Sequence, residues 1–163
     1  MFTPEELARV EVIKSHYPTP LGAVMGVLHM MQDKYGYISD EASQYVAELL
    51  GVPVENVFGV VTFYEMYHQH KAGRYHLHVC TNVSCLLCGS DMVLSTLKAR
   101  LGIGVGETTP DNLFTISEAE CLGSCGSAPM LSVNKQYHEY LTPEKINTLI
   151  DDLQKAAATE DGR

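Results

Sequence analysis

Tyr75-His76-Leu77-His78-Val79-Cys80-Thr81-Asn82-Val83-Ser84-Cys85-Leu86-Leu87-Cys88 is the stretch whose reading decides the fold. Tyr75, Leu77 and Val79 alternate with His76, His78 and Cys80. That is the period of a half-buried strand, and it delivers Cys80 at the strand's C-terminal end. A turn carrying Cys85 and Cys88 follows. Val93, Leu94, Leu97 and Leu101 are then spaced for one face of a helix that Gly102 terminates. Downstream, Leu113 to Ile116 reads as a second strand, and Leu131 to Val133 with Gln136 to Leu141 as a hairpin around Asn134-Lys135. Thr142-Pro143-Glu144 opens a last helix with Ile146, Leu149, Ile150 and Leu153 inward.

Upstream the period is helical. Thr3-Pro4-Glu5-Glu6 is a capping box, followed by apolar Leu7, Val10, Ile13 and Tyr17, and Pro18 and Pro20 stop that helix. Leu21, Val24, Leu28, Met31 and Tyr35 form a one-sided stripe ended by Gly36, with Met30 and Met31 read as core and neighbouring surface. Ser39 caps a third helix with Ala42, Tyr45, Val46 and Leu49 inward, and Pro53 opens a short fourth. The predicted organisation is a helical bundle over residues 1–72, an α/β sandwich of thioredoxin type with a four-stranded sheet over 73–157, and a frayed tail over 158–163. Phe63 and Tyr64, beside the linker, are expected to pack in the core, with a partner surface as the other reading.

The 163 residues are 45% hydrophobic and 19% charged, which excludes disorder and allows two small domains. No apolar run approaches the roughly 20 residues of a bilayer span, and the first residues lack the basic and apolar segments of a secretory signal, so a cytoplasmic chain without direct membrane insertion is expected. Eleven Lys and Arg against twenty Asp and Glu give a net charge of −9 with no basic cluster, so nucleic acid is not an expected partner. Gly102-x-Gly104-x-Gly106 follows a helix and lacks the dinucleotide-loop spacing, so it reads as a turn.

All five cysteines lie between positions 80 and 125, as Cys80, Cys85 and Cys88, then Cys121 and Cys125. An odd number in a chain expected to be cytoplasmic argues against a disulfide framework and leaves metal binding, redox chemistry or burial. Thiolates are the ligands of iron–sulfur clusters, and Cys80-x4-Cys85 with Cys121-x3-Cys125 supplies two close pairs for a [2Fe-2S] centre. Gly123 and Gly126 give the second loop the freedom to aim main-chain N–H groups at sulfur. Cys80-x4-Cys85-x2-Cys88 is also the plant-type ferredoxin spacing, and spacing alone leaves both ligand sets open. Zinc prefers C-x2-C pairs, of which only Cys85-x2-Cys88 exists, and that same pair could instead form a dithiol active site. His76 and His78 share a strand face with Cys80 but make poor co-ligands for it, and read as solvated or interface histidines.

Several stretches together resemble one family. They are residues 28–38 around Gln32-Asp33-Lys34-Tyr35-Gly36, then Val61-Thr62-Phe63-Tyr64, His78 to Cys85, Thr109-Pro110-Asp111, and Cys121-Leu122-Gly123-Ser124-Cys125-Gly126-Ser127-Ala128-Pro129. From about Tyr17 to about Leu153 the chain resembles the thioredoxin-like [2Fe-2S] subunit of NADH:quinone oxidoreductase, respiratory complex I. That family includes the small subunits of NAD-linked hydrogenases and formate dehydrogenases. The resemblance implies that Cys80, Cys85, Cys121 and Cys125 hold a [2Fe-2S] cluster, and that the chain is a non-catalytic electron-transfer subunit. It further implies a flavoprotein partner that carries FMN and oxidises NADH, other subunits of the complex, and a place at the inner face of the membrane through that complex. Cys88 stands where the family requires no cysteine, and Asp111-Asn112 replaces an Asp-Gly turn. Val83, Leu86, Leu87, Ala128 and Met130 are expected to form the docking face beside the cluster.

Overall fold

The computed structural model describes residues 1–161, with side chains through Thr159. It divides into two compact units, Met1–Lys71 and a second beginning at Ala72.

In the first unit, α1 (Pro4–Ser15) starts at a reciprocal capping box: Glu6 N–H donates to the Thr3 hydroxyl and Thr3 N–H to the Glu6 carboxylate. A 3-10 turn over Pro20–Ala23 leads into α2 (Val24–Tyr35), which ends at Gly36 with φ 81. The apolar stripe predicted from Leu21 thus becomes helical only at Val24, because two prolines so close upstream favour a tight turn, and Leu21 is left exposed. α3 (Asp40–Leu50), capped by Ser39, and α4 (Val54–Phe63) complete the bundle. The residues of α3 that are fully buried are Ser43, Val46, Ala47 and Leu50, while Ala42, Tyr45 and Leu49 pack at the rim. Small side chains let α3 lie close against both α2 and α4. Phe63 departs from the expected core packing, being 76% exposed with its ring edge-on to Tyr64. Tyr67 is buried instead, and its hydroxyl donates to the Met25 carbonyl at 2.9 Å.

The second unit runs β1 (Tyr75–Cys80), α5 (Val83–Cys88), α6 (Ser90–Leu101), β2 (Phe114–Ala119), β3 (Leu131–Val133), β4 (Gln136–His138) and α7 (Pro143–Asp161). The sheet order is β2-β1-β3-β4, with β1 parallel to β2 from Tyr75 opposite Phe114 to Cys80 opposite Ala119, and antiparallel to β3. The expected α/β sandwich with a four-stranded sheet is present. Leu77 and Val79 face a core shared with Leu97 of α6 and Ile146 and Ile150 of α7, so the alternating partners His76, His78 and Cys80 lie on the other face of β1. Two turn positions take left-handed backbone at asparagine, Asn112 at φ 56 and Asn134 at φ 53. The stretch with Cys85 and Cys88, expected as a turn, is the helix α5. The tail expected to fray from 158 continues α7 to Asp161, and its last two positions, 162 and 163, lie outside the described residues.

Among the described residues no helix is long and apolar enough to cross a membrane. Every residue of the second core lies after Ala72. A chain beginning at Lys71 is therefore expected to melt in one cooperative transition by circular dichroism, and a broad, non-cooperative melt would show that it needs the helical unit.

Candidate metal centre

β1 ends at Cys80, and the pairing of Thr81 N–H with the Ala119 carbonyl at 3.0 Å carries the parallel ladder one step further. The chain then turns into α5. Asn82 caps it by accepting Val83 N–H, while its side-chain amide donates to Glu120 at 3.0 Å, which ties this turn to the residue before Cys121. On the other side, residues 121–130 form a loop with a 3-10 turn at Cys125–Ser127. Gly123 sits at φ 86, a conformation that favours glycine, whereas Gly126 has no positive φ. The freedom expected of both glycines is used at one.

The end of β1, α5 and the 121–130 loop bring four thiols together. Cys85 lies within electrostatic reach of Cys80 and Cys125, and Cys125 shares a hydrogen bond with Cys121, the two sulfurs being 3.4 Å apart. Cys80 and Cys85 are only 3% and 2% exposed, and they pack with Met130, Leu122 and Ala128. Cys121 and Cys125 are exposed. Met130, expected on the docking face, is buried in one apolar cluster with Cys80 and Cys85. The Met130 main chain and the Ser84 hydroxyl favour the thiolates of Cys85 and Cys125 respectively, although nothing in the local sequence marks Ser84 for that role. Such donors moderate negative charge on sulfur. Cys88 ends α5 at an exposed position.

Burial, together with the neighbouring Cys80, pushes the Cys85 thiol up to about 11, and the Cys121 sulfur raises that of Cys125. A dithiol active site at Cys85 and Cys88 needs the opposite shift, because the thiolate is the nucleophile. Ligation by a metal would displace these protons. Iron–sulfide loading of the cluster-free chain is therefore expected to speed up as pH rises from about 7 to about 9, followed by visible absorption; a rate independent of pH would contradict protonated ligands. The same raised value stabilises the cluster-free fold below the unfolded thiol's pKa, and that contribution disappears as pH rises through about 11. Four thiolates are the full complement of a [2Fe-2S] cluster, so the donor set fits that group.

Fold and site together define a thioredoxin-fold protein built around four gathered thiols. Residues 10–154 match the model of the thioredoxin-like [2Fe-2S] ferredoxin family. An NADH-quinone oxidoreductase subunit of Rhizobium meliloti is 40% identical over 147 residues, covering 90% of this chain and 88% of that one. The mitochondrial NADH dehydrogenase [ubiquinone] flavoprotein 2 of Dictyostelium discoideum is 39% identical over 164 residues, covering 99% of this chain and 66% of that one. In fold, the chain is similar to the crystal structure of an NAD+-reducing [NiFe]-hydrogenase in its H2-reduced state, with a TM-score of 0.72 at 22% identity over 85% of this chain and 23% of the hydrogenase chain. The chain belongs to the thioredoxin-like [2Fe-2S] ferredoxin family.

Proposed function

We propose that Cys80, Cys85, Cys121 and Cys125 hold a [2Fe-2S] cluster, and that the chain passes single electrons as a subunit of a multi-subunit NADH dehydrogenase. The observation that carries this is the convergence of four free thiols, from the end of β1, from α5 and from the 121–130 loop, at one end of the sheet. When bound, a cluster with only thiolate ligands supplies one-electron outer-sphere transfer and offers no open position to a substrate. The chain's own residues position and tune it: the end of β1 and the Asn82 cap set the first pair, the Gly123 loop sets the second, and Met130 and Ser84 favour the thiolate form of Cys85 and Cys125.

Hydride chemistry then belongs to another polypeptide, a flavoprotein that carries FMN and oxidises NADH. Residues 73–157 serve as the cluster domain, while residues 1–72 add surface for further subunits of the complex. In this reading the chain is cytoplasmic and meets the inner face of the membrane only through its partners. Val83, Leu86 and Leu87 lie exposed along α5, next to Cys85. This apolar surface suits close approach by the flavoprotein.

The test is anaerobic mixing of the loaded chain with NADH, with and without the flavoprotein subunit. Bleaching of the visible bands is expected only with both. Bleaching by NADH alone, or none with both, would count against the assignment.

A further inference from the structure

The segment leaving β4 grips the Cys121–Cys125 loop at several points. The Tyr137 hydroxyl donates to the Leu122 carbonyl at 2.7 Å, Tyr140 N–H to the Ser127 carbonyl at 2.8 Å, and Leu141 N–H to the Pro129 carbonyl at 3.0 Å. At its centre, the Glu139 carboxylate accepts hydrogen bonds from both the Ser124 and the Ser127 hydroxyls. These serines flank Cys125. They are also joined to each other: Ser127 N–H donates to the Ser124 carbonyl at 3.1 Å, and the two hydroxyl oxygens lie 2.8 Å apart. Tyr140 takes φ 50, an uncommon value for a bulky residue, at the step where the chain presents Glu139 and then the Tyr140 N–H to the loop.

We propose that Glu139 is a positioning residue for the cluster: its carboxylate staples Ser124 to Ser127 across Cys125, and so holds the Cys121–Cys125 pair at the separation that ligation requires. Cys121 and Cys125 are themselves exposed and are separated by the Gly123 step at φ 86, so contacts from outside the pair bear on the spacing of the two sulfurs. A charge-assisted acceptor shared by two hydroxyls supplies that constraint from twelve or more residues away. It also places a fixed negative charge beside a centre that gains an electron. The inference rests on the reading that Cys121 and Cys125 are ligands.

The test uses the full-length loaded chain and its Glu139→Ala, Glu139→Gln, Ser124→Ala/Ser127→Ala and triple-alanine variants. Two quantities are read, the rate of bleaching in excess ferrous-iron chelator and the midpoint potential. Loss of an outer-shell partner typically weakens a metal site by 10-fold or more, so Glu139→Ala is expected to bleach about ten times faster than the parent. The triple variant should be no faster than Glu139→Ala, because the serines and the carboxylate act as one unit. Glu139→Gln keeps an acceptor oxygen and loses the charge. It should bleach at an intermediate rate and show a more positive potential, and it carries the test if Glu139→Ala fails to fold. Parent-like bleaching of both Glu139 variants, multiplicative effects in the triple variant, or an unshifted potential in Glu139→Gln would each overturn the proposal. A parent chain that never acquires [2Fe-2S] absorption would instead sink the cluster reading itself.

Discussion

Replacing any one of Cys80, Cys85, Cys121 or Cys125 by serine is expected to leave the purified chain colourless or able to hold its cluster only transiently, while Cys88→Ser remains red-brown. A serine hydroxyl is a far weaker iron ligand than a thiolate, so each substitution removes a quarter of the ligand set. The site has little means of compensating. Cys80 and Cys85 sit in an apolar floor with Met130, where a hydroxyl also loses its hydrogen-bonding surroundings. Cys88 lies at the exposed end of α5. Absorption spectra of the five variants, purified side by side, decide the matter. Bleaching by Cys88→Ser with colour retained in Cys121→Ser or Cys125→Ser would transfer the assignment to the plant-type triplet.

The second large effect is on assembly. Leu87 is 81% exposed on α5, two residues past the buried Cys85. A flavoprotein that approaches the cluster closely has to cover this surface, and a carboxylate placed there would be desolvated without a partner. Such burial costs about 3 kcal/mol, roughly a hundredfold in affinity. Leu87→Glu is therefore expected to leave the absorption and electron-spin spectra of the isolated chain unchanged, while it weakens co-purification with the flavoprotein and slows NADH-driven reduction. If the variant assembles and is reduced at the normal rate, docking belongs elsewhere, and the exposed Phe63 and Tyr64 pair becomes the alternative surface.

Much of this site is legible in the sequence because its elements announce themselves locally. Alternation from Tyr75 to Val79 predicts the strand, and the strand fixes where Cys80 ends up. The capping box at Thr3 and the Ser39 cap predict helix starts that the structure contains. Helix α5 escapes such a reading because six residues are too few to display a period, although Asn82 before it and Gly89 after it, at φ 109, are the cap signals of a short helix. β2 extends past Ile116 to Ala119 because parallel pairing with β1 holds Ser117 and Glu118 in register, whatever their polarity. Met130 reads as a surface residue next to Pro129, yet it lies under the thiols, because Cys80 N–H pairs with its carbonyl. Glu139 and Ser84 carry no local signal, since their partners are set by how two loops meet. The gathering of four cysteines is legible as spacing, while the donors that tune them emerge only in three dimensions.

A [2Fe-2S] centre in this chain is tested most directly by counting iron and acid-labile sulfide in the anaerobically purified full-length protein, and by recording its electron-spin resonance before and after dithionite. Two irons and two sulfides per chain are expected, with no spin signal when oxidised and one unpaired electron per cluster when reduced. A colourless chain containing one zinc and no sulfide, or one free of metal with its thiols titrating as an active dithiol, would contradict it.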